Sequence, residues 1–220
     1  MTRLVFFTLL VFSFSAVIGQ DLDNYVYGGV SANGYNGDAS GYGRFSGIFN
    51  AGLRFNRKEK LNGSLNLSIG SITSSNIDFN PSNFPGTNRI PNSFFETSFF
   101  SFHYQLQYNL IKKENLIVYV GQGIGFIRFN PKDDLNNNLQ DIPETRAQGE
   151  EYTNISLMLP TSVGVVYILP NGFGFGFNTT LYNPLTDYLD NISDLGTDEG
   201  NDNMLAFGLS MYVPLKRATE

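Results

Sequence analysis

Four groups of residues in this 220-residue chain have types and spacings that suit chemistry. Ser101 and His103 stand two apart, the sort of pair from which a hydroxyl nucleophile and its general base are built. His103 is the only histidine and there is no cysteine, so a zinc set or a thiol nucleophile has no ligands to draw on. GQGIG, Gly121 to Gly125, has alternating glycines like a phosphate-binding loop, but it lacks the final spacing and precedes no helix. An acidic run holds Asp187, Asp190, Asp194, Asp198, Glu199 and Asp202, with no Lys or Arg between 184 and 203. Carboxylate oxygens can take a calcium ion, yet the Asp-x-Asx-x-Asx-Gly pattern is missing, and a solvated loop is the expectation. The fourth group is basic: Arg57, Lys58, Lys60, Lys112 and Lys113 sit in two short connections, and Lys216 and Arg217 in the tail. From these residues we expect no catalytic site, no metal site, no cofactor and no nucleic-acid partner. His103 is expected to be a hydrogen-bonded interior residue.

The elements that carry these residues have a period of two. LNGSLNLSIGSI, from Leu61, places Leu61, Leu65, Leu67 and Ile69 on one face and Asn62, Ser64, Asn66, Ser68 and Gly70 on the other. FFSFHYQLQYNL, from Phe99, sets Phe100, Phe102, Tyr104, Leu106 and Tyr108 against Ser101, His103, Gln105, Gln107 and Asn109. From Met204 to Leu215, Phe207, Leu209, Met211 and Val213 oppose Ala206, Gly208, Ser210 and Tyr212. Gly43 to Phe55 and Phe173 to Tyr182 alternate in the same way. Tyr25 to Ala32, Asn115 to Phe129 and Tyr152 to Tyr167 alternate less cleanly. The expectation is eight strands, most of them long enough to cross a membrane at a tilt, which takes about 9–11 residues. Short connections near Arg57, Lys112 and Pro170 are separated by long polar ones at about 73–96, 130–151 and 184–203. Asn171-Gly172 is a hairpin signal, since both residues tolerate positive φ.

Such a chain is all-β: an eight-stranded antiparallel up-and-down transmembrane β-barrel, with short periplasmic turns and long external loops. The runner-up is a soluble sandwich or lipocalin-like barrel, whose strands also alternate. Three features favour the membrane. The polar face is small and poor in Lys and Glu. Aromatics recur at strand ends (Tyr25, Tyr27, Phe55, Phe129, Tyr167, Tyr182), as in an interfacial girdle. Charges are mostly in connections. Mean hydropathy is slightly negative, as alternation dictates, and does not argue against a barrel. The start, MTRLVFFTLLVFSFSAVIGQ, is expected to be a signal peptide over 1–19 that exports the barrel domain, 20–220, to the cell outer membrane. Eight strands enclose a lumen that side chains fill, which argues against a general porin.

Read in order, several phrases resemble one group. GVSANGYNGDAS, from Gly29, is similar to the opening strand and Tyr-x-Gly-Asp loop of Bacteroidota outer-membrane barrels of the PorG-like type. GIGFIRFNPKDD resembles the group's central strand ending in Phe-Asn-Pro-Lys. ETRAQGEEYTNISLMLPTSVGVVY is similar to its glycine-containing loop and Pro-x-x-Gly strand. LTDYLDNIS resembles its Thr-Asp-Tyr-Leu-Asp-Asp-Val-Ser signature, carried here by Thr186, Asp187, Tyr188, Leu189 and Asp190, with Asn191 in place of the second Asp. The resemblance implies a small eight-stranded barrel in outer-membrane lipid. It also implies a structural or accessory role in type IX protein secretion, with a periplasmic lipoprotein or ring component as partner. The basic turns Arg57, Lys58, Lys60, Lys112 and Lys113 are then the expected docking surface. A small-solute or ligand-binding barrel, for transport or adhesion, is the alternative.

Overall fold

The computed structural model describes residues 24–39, 41–75, 89–196 and 200–215. The expected signal peptide, the tail residues Lys216 and Arg217, and Asp198 and Glu199 of the acidic run lie outside these. The strands are β1 (Asn24–Asn36), β2 (Phe45–Phe55), β3 (Leu61–Ser75), β4 (Phe94–Lys112), β5 (Leu116–Lys132), β6 (Ile155–Met158), β7 (Thr161–Ile168), β8 (Gly174–Tyr182) and β9 (Asn203–Pro214). Each pairs antiparallel with its sequence neighbour, except that β5 pairs with both β6 and β7, and β1 also pairs with β9. That last ladder runs from Tyr25 opposite Pro214 to Asn36 opposite Asn203 and closes the barrel. β6 and β7 are two halves of one barrel strand, so the architecture is a closed antiparallel barrel of eight strands. The interruption falls at Leu159-Pro160, because proline has no N–H for the ladder. The chain is held through it: Gly123 N–H donates to the Pro160 carbonyl at 2.7 Å and Leu159 N–H to Asn183 at 2.8 Å.

The two faces fall where the alternation puts them. Phe49, Ile69, Ile124, Val163, Phe175 and Leu209 point outward, with Phe175 55% and Leu209 63% exposed. Such a belt is stable only against lipid. On β4, Ser101, His103, Gln105, Gln107 and Asn109 are all buried inside. The expected girdle is corrected in part. Phe55 and Tyr167 do lie on the outward register, but Tyr25, Phe129 and Tyr182 are buried inside and Tyr27 is packed with them. Their parity on the strand decides this, and it matches the inward neighbours Asn33, Ile127 and Thr180.

Glycine makes room for these inward rings. A Cβ on Gly164 would lie 2.5 Å from the Tyr119 ring, one on Gly52 2.6 Å from Tyr27, and one on Gly176 2.7 Å from Tyr212. The GQGIG glycines do the same: a Cβ on Gly121 would strike the Gln105 side chain and one on Gly125 would strike His103. They are packing residues inside a strand, not a phosphate loop. At the hairpin after β7 only Gly172 has positive φ, +85°. Leu169 and Phe173 bracket a three-residue loop in place of the expected two-residue turn.

Phe175→Arg is expected to cost about 2–4 kcal/mol if its face meets lipid, read as a lower denaturant midpoint for unfolding from vesicles. An unchanged midpoint would mean that this face of β8 does not meet lipid. Gly164→Leu is expected to cost about 1–3 kcal/mol by overpacking, with the Tyr119 ring displaced in its fluorescence or NMR signals.

Candidate functional site

The five basic candidates meet at the end of the barrel that carries the short turns and both ends of the described barrel. Arg57, Lys58 and Lys60 lie in the β2–β3 turn, Lys112 ends β4, and Lys113 follows it. The turns are tied together: the Lys112 Nζ donates to the Asn56 carbonyl at 3.2 Å and the Lys58 carbonyl at 3.1 Å. Asn109 supports them by donating to the Lys60 carbonyl at 2.8 Å from its backbone and to the Glu59 carbonyl at 2.9 Å from its side chain. Lys112 is thereby a structural cation, whereas Arg57, Lys58, Lys60 and Lys113 are exposed. Glu59 and Glu114, also exposed, interrupt the basic surface.

Above this rim the lumen has three layers. Tyr25, Ile117, Tyr119, Val166 and Tyr212 pack together at the turn end. A polar middle follows, with Asn66, Ser68, His103, Gln105, Ser162 and Thr180 around a cavity of about 40 Å³. At the opposite end Ile48, Ile72, Phe95, Phe129 and Met204 form an apolar core with Leu139 and Leu189 from the external connections. Ser101 and His103 are both enclosed in the middle layer. Among the described residues the Ser101 Oγ and His103 Nδ1 have no hydrogen-bond partner, so the two form no nucleophile–base pair. The His103 ring packs edge-on against Tyr182 at 6.1 Å.

The external connections form a folded cap over the apolar core. Leu189 is fully buried in that core, and its carbonyl accepts from Thr97. Tyr188 stacks on Tyr152 at 4.5 Å and donates to Glu150 at 2.9 Å. Thr186 accepts the Asp202 N–H at 3.1 Å, and Asp187 is half-buried. Asn191, at φ +74°, uses both ends of its amide. Its oxygen accepts from Arg146 at 2.7 Å and Tyr152 at 3.0 Å; its nitrogen donates to Asn92 at 3.0 Å and Thr145 at 2.8 Å. A carboxylate at 191 keeps the first two bonds and loses the last two, which gives the departure from the Thr-Asp-Tyr-Leu-Asp-Asp signature a physical role.

The expectation of a solvated acidic loop fails at Asp190 and Asp202, which are both 0% exposed. Asp190 accepts from the Tyr35 hydroxyl at 2.7 Å and the backbone N–H groups of Ala39 and Ile192 at 3.1 and 2.8 Å. Asp202 lies 2.6 Å from the same hydroxyl and accepts from Leu189 N–H at 2.7 Å. One phenol has one proton and cannot donate to two carboxylates, so the second contact requires a proton on a carboxyl. Burial pushes Asp190 up to about 7, and Asp38 adds to this against the hydrogen bonds. Burial, then the Asp190 charge, raises Asp202 well above the ordinary carboxylate range. No signal in the sequence separated these two acids from their exposed neighbour Asp194. Among the described residues no cluster of His, Asp and Glu is arranged to hold a metal ion.

Comparison with solved structures bears on the fold. The chain is similar to Neisserial surface protein A, with a TM-score of 0.54 and 11% identity, covering 87% of this chain and 97% of that one. The fold is that of an eight-stranded outer-membrane barrel. The barrel also matches Ail, the attachment invasion locus protein of Yersinia pestis, solved with the heparin analogue sucrose octasulfate, at a TM-score of 0.49 and 10% identity over 88% and 98% of the two chains. It matches the outer membrane enzyme PagL at a TM-score of 0.38 and 12% identity over 87% and 99%. The sequence matches no protein-family model and no curated protein. None of these likenesses reaches the PorG-like family.

Because Asp190 and Asp202 have higher pKa values in the folded barrel than in an unfolded chain, the folded cap binds protons more tightly. Its stability from them is fully present below about pH 4 and is lost as pH rises through the value of about 7 at Asp190. Amide exchange at Leu189 and Ile192, corrected for intrinsic rates, is expected to be slower at pH 5 than at pH 8. Asp202→Asn should flatten that dependence.

Proposed function

We propose that the chain is a non-enzymatic outer-membrane barrel that serves as an anchor, holding a periplasmic partner on the rim of Arg57, Lys58, Lys60 and Lys113. The observation that carries this is the joining of two turns into one exposed basic surface by Lys112. The packed ring layer and apolar outer core support an anchor over a channel. The enclosed, unpaired Ser101 and His103 supply no hydrolytic site. Charge complementarity selects an acidic partner. Within this reading the resemblance to PorG-like barrels gives the partner its class, a periplasmic lipoprotein or ring component of type IX secretion. The expected signal peptide would bring the chain to the outer membrane.

One observation favours a second reading, in which the external cap binds a surface ligand. Asp133 accepts from Leu135 and Asn137 N–H at 3.0 and 2.7 Å and folds a tight tip that holds Leu135 76% exposed. An apolar side chain held outward in a structured tip is a ready contact.

Affinity purification from detergent-solubilised outer membranes tests the anchor. The native barrel is expected to bring down a periplasmic protein. The triple variant Arg57→Glu, Lys58→Glu, Lys113→Glu should lose at least about tenfold in recovery while its heat-modifiable migration stays normal. Recovery of no periplasmic protein with the native barrel would overturn the anchor and leave the cap reading.

A further inference from the structure

Arg54 lies on the inward face of β2, in the lumen, and is 1% exposed. Its guanidinium sits 4.3 Å over the Tyr119 ring. The Nη2 makes one long hydrogen bond, 3.4 Å, to Asn109 Oδ1. Among the described residues the Nε and Nη1 have no hydrogen-bond acceptor. The phenols of Tyr119 and Tyr212 are hydrogen-bonding neighbours of the guanidinium, but a phenol brings a dipole and no charge to balance it. A guanidinium keeps its positive charge in a protein. A buried charge is stable only when something compensates it.

The compensation has a place. Arg54 lines the cavity in the middle of the lumen, among Asn, Gln, Ser, Thr, Tyr and His103, and no Asp or Glu of the described residues lines it. Ser162 Oγ, which also faces this cavity, has no partner among the described residues. A volume of about 40 Å³ takes roughly three water-sized bodies. That admits a halide with its residual water. The wall is therefore one buried cation surrounded by neutral hydroxyl and amide dipoles that can turn their donors inward.

We propose that the lumen cavity is a binding site for a small monovalent inorganic anion, with chloride as its physiological form. Arg54 provides the charge, and the Ser162 hydroxyl provides a neutral donor. The ion completes the middle layer of the barrel, which water alone leaves with an unneutralised charge in a low-dielectric interior. It does not depend on the partner held at the rim.

The full barrel is unfolded and refolded in detergent micelles at constant ionic strength, with sodium chloride exchanged for sodium gluconate, whose anion is far bulkier than a halide. The expected result is saturable stabilisation by chloride. Above half-saturation the apparent unfolding constant falls about tenfold for each tenfold rise in chloride. Arg54→Met should remove the dependence and Ser162→Ala should weaken it. Crystals grown in bromide give a readout on the native chain that does not require either variant to fold: an anomalous peak inside the lumen beside Arg54. Halide-independent unfolding with no peak would mean that water fills the cavity, and overturns the proposal. A peak without halide-dependent unfolding would mark an adventitious ion only, and also overturns it.

Discussion

Every strand that crosses lipid must pair all its backbone groups with another strand, because hydrocarbon offers no hydrogen bond in exchange. Everything else in this barrel depends on the β1–β9 ladder that meets this demand, from Tyr25 opposite Pro214 to Asn36 opposite Asn203. Without it two strands of unpaired N–H and C=O groups would face lipid. With it, irregular backbone in the described barrel strands is confined to a bulge between Asn109 and Ile111 of β4 and to Leu159-Pro160, where Gly123 and Asn183 take up the freed bonds. β4 and β5, with 19 and 17 residues, are longer than a crossing needs and run on into the external cap.

Closing eight strands fixes the diameter, and the diameter fixes what the lumen must contain. The interior is narrow enough that three large inward rings sit against residues with no side chain. Tyr119 lies against Gly164, Tyr27 against Gly52 and Tyr212 against Gly176. Outside, Tyr104 covers Gly63 in the same way. Rings at one end and an apolar core at the other bracket the polar middle, where Arg54 is 1% exposed. Isolation is what gives Arg54 its significance, since the same guanidinium at the rim would be hydrated.

The cap and the rim face opposite solvents and are built on opposite principles. At the rim, cations stay exposed and the turns are short. At the cap, chain from four connections folds inward, and two carboxylates share one phenol under Leu189. Burying acids costs free energy that only hydrogen bonds or protons can offset. The cap accordingly couples its packing to proton binding, and Asn191 ties the 183–202 connection to the 133–154 and 89–93 segments.

The alternation of single strands was enough to determine the fold class, the strand count and the lipid-facing set, because a period of two leaves each residue one face or the other. Asn115 to Phe129 and Tyr152 to Tyr167 alternated poorly for physical reasons. Ile117 and Ile127 face inward where the lumen is apolar, and Pro160 breaks the second run. The sequence also placed the five basic candidates in two turns, but not the Lys112 bond that joins them. It read Asp190 as solvated, although a one-dimensional pattern cannot say that Tyr35, 155 residues away, lies within hydrogen-bond reach of it. Nor did it single out Arg54, whose isolation is a property of the whole closed lumen. Local periodicity decided which way each side chain points. Only closure decided what each one meets there, because contacts across a barrel join residues that are far apart in the chain.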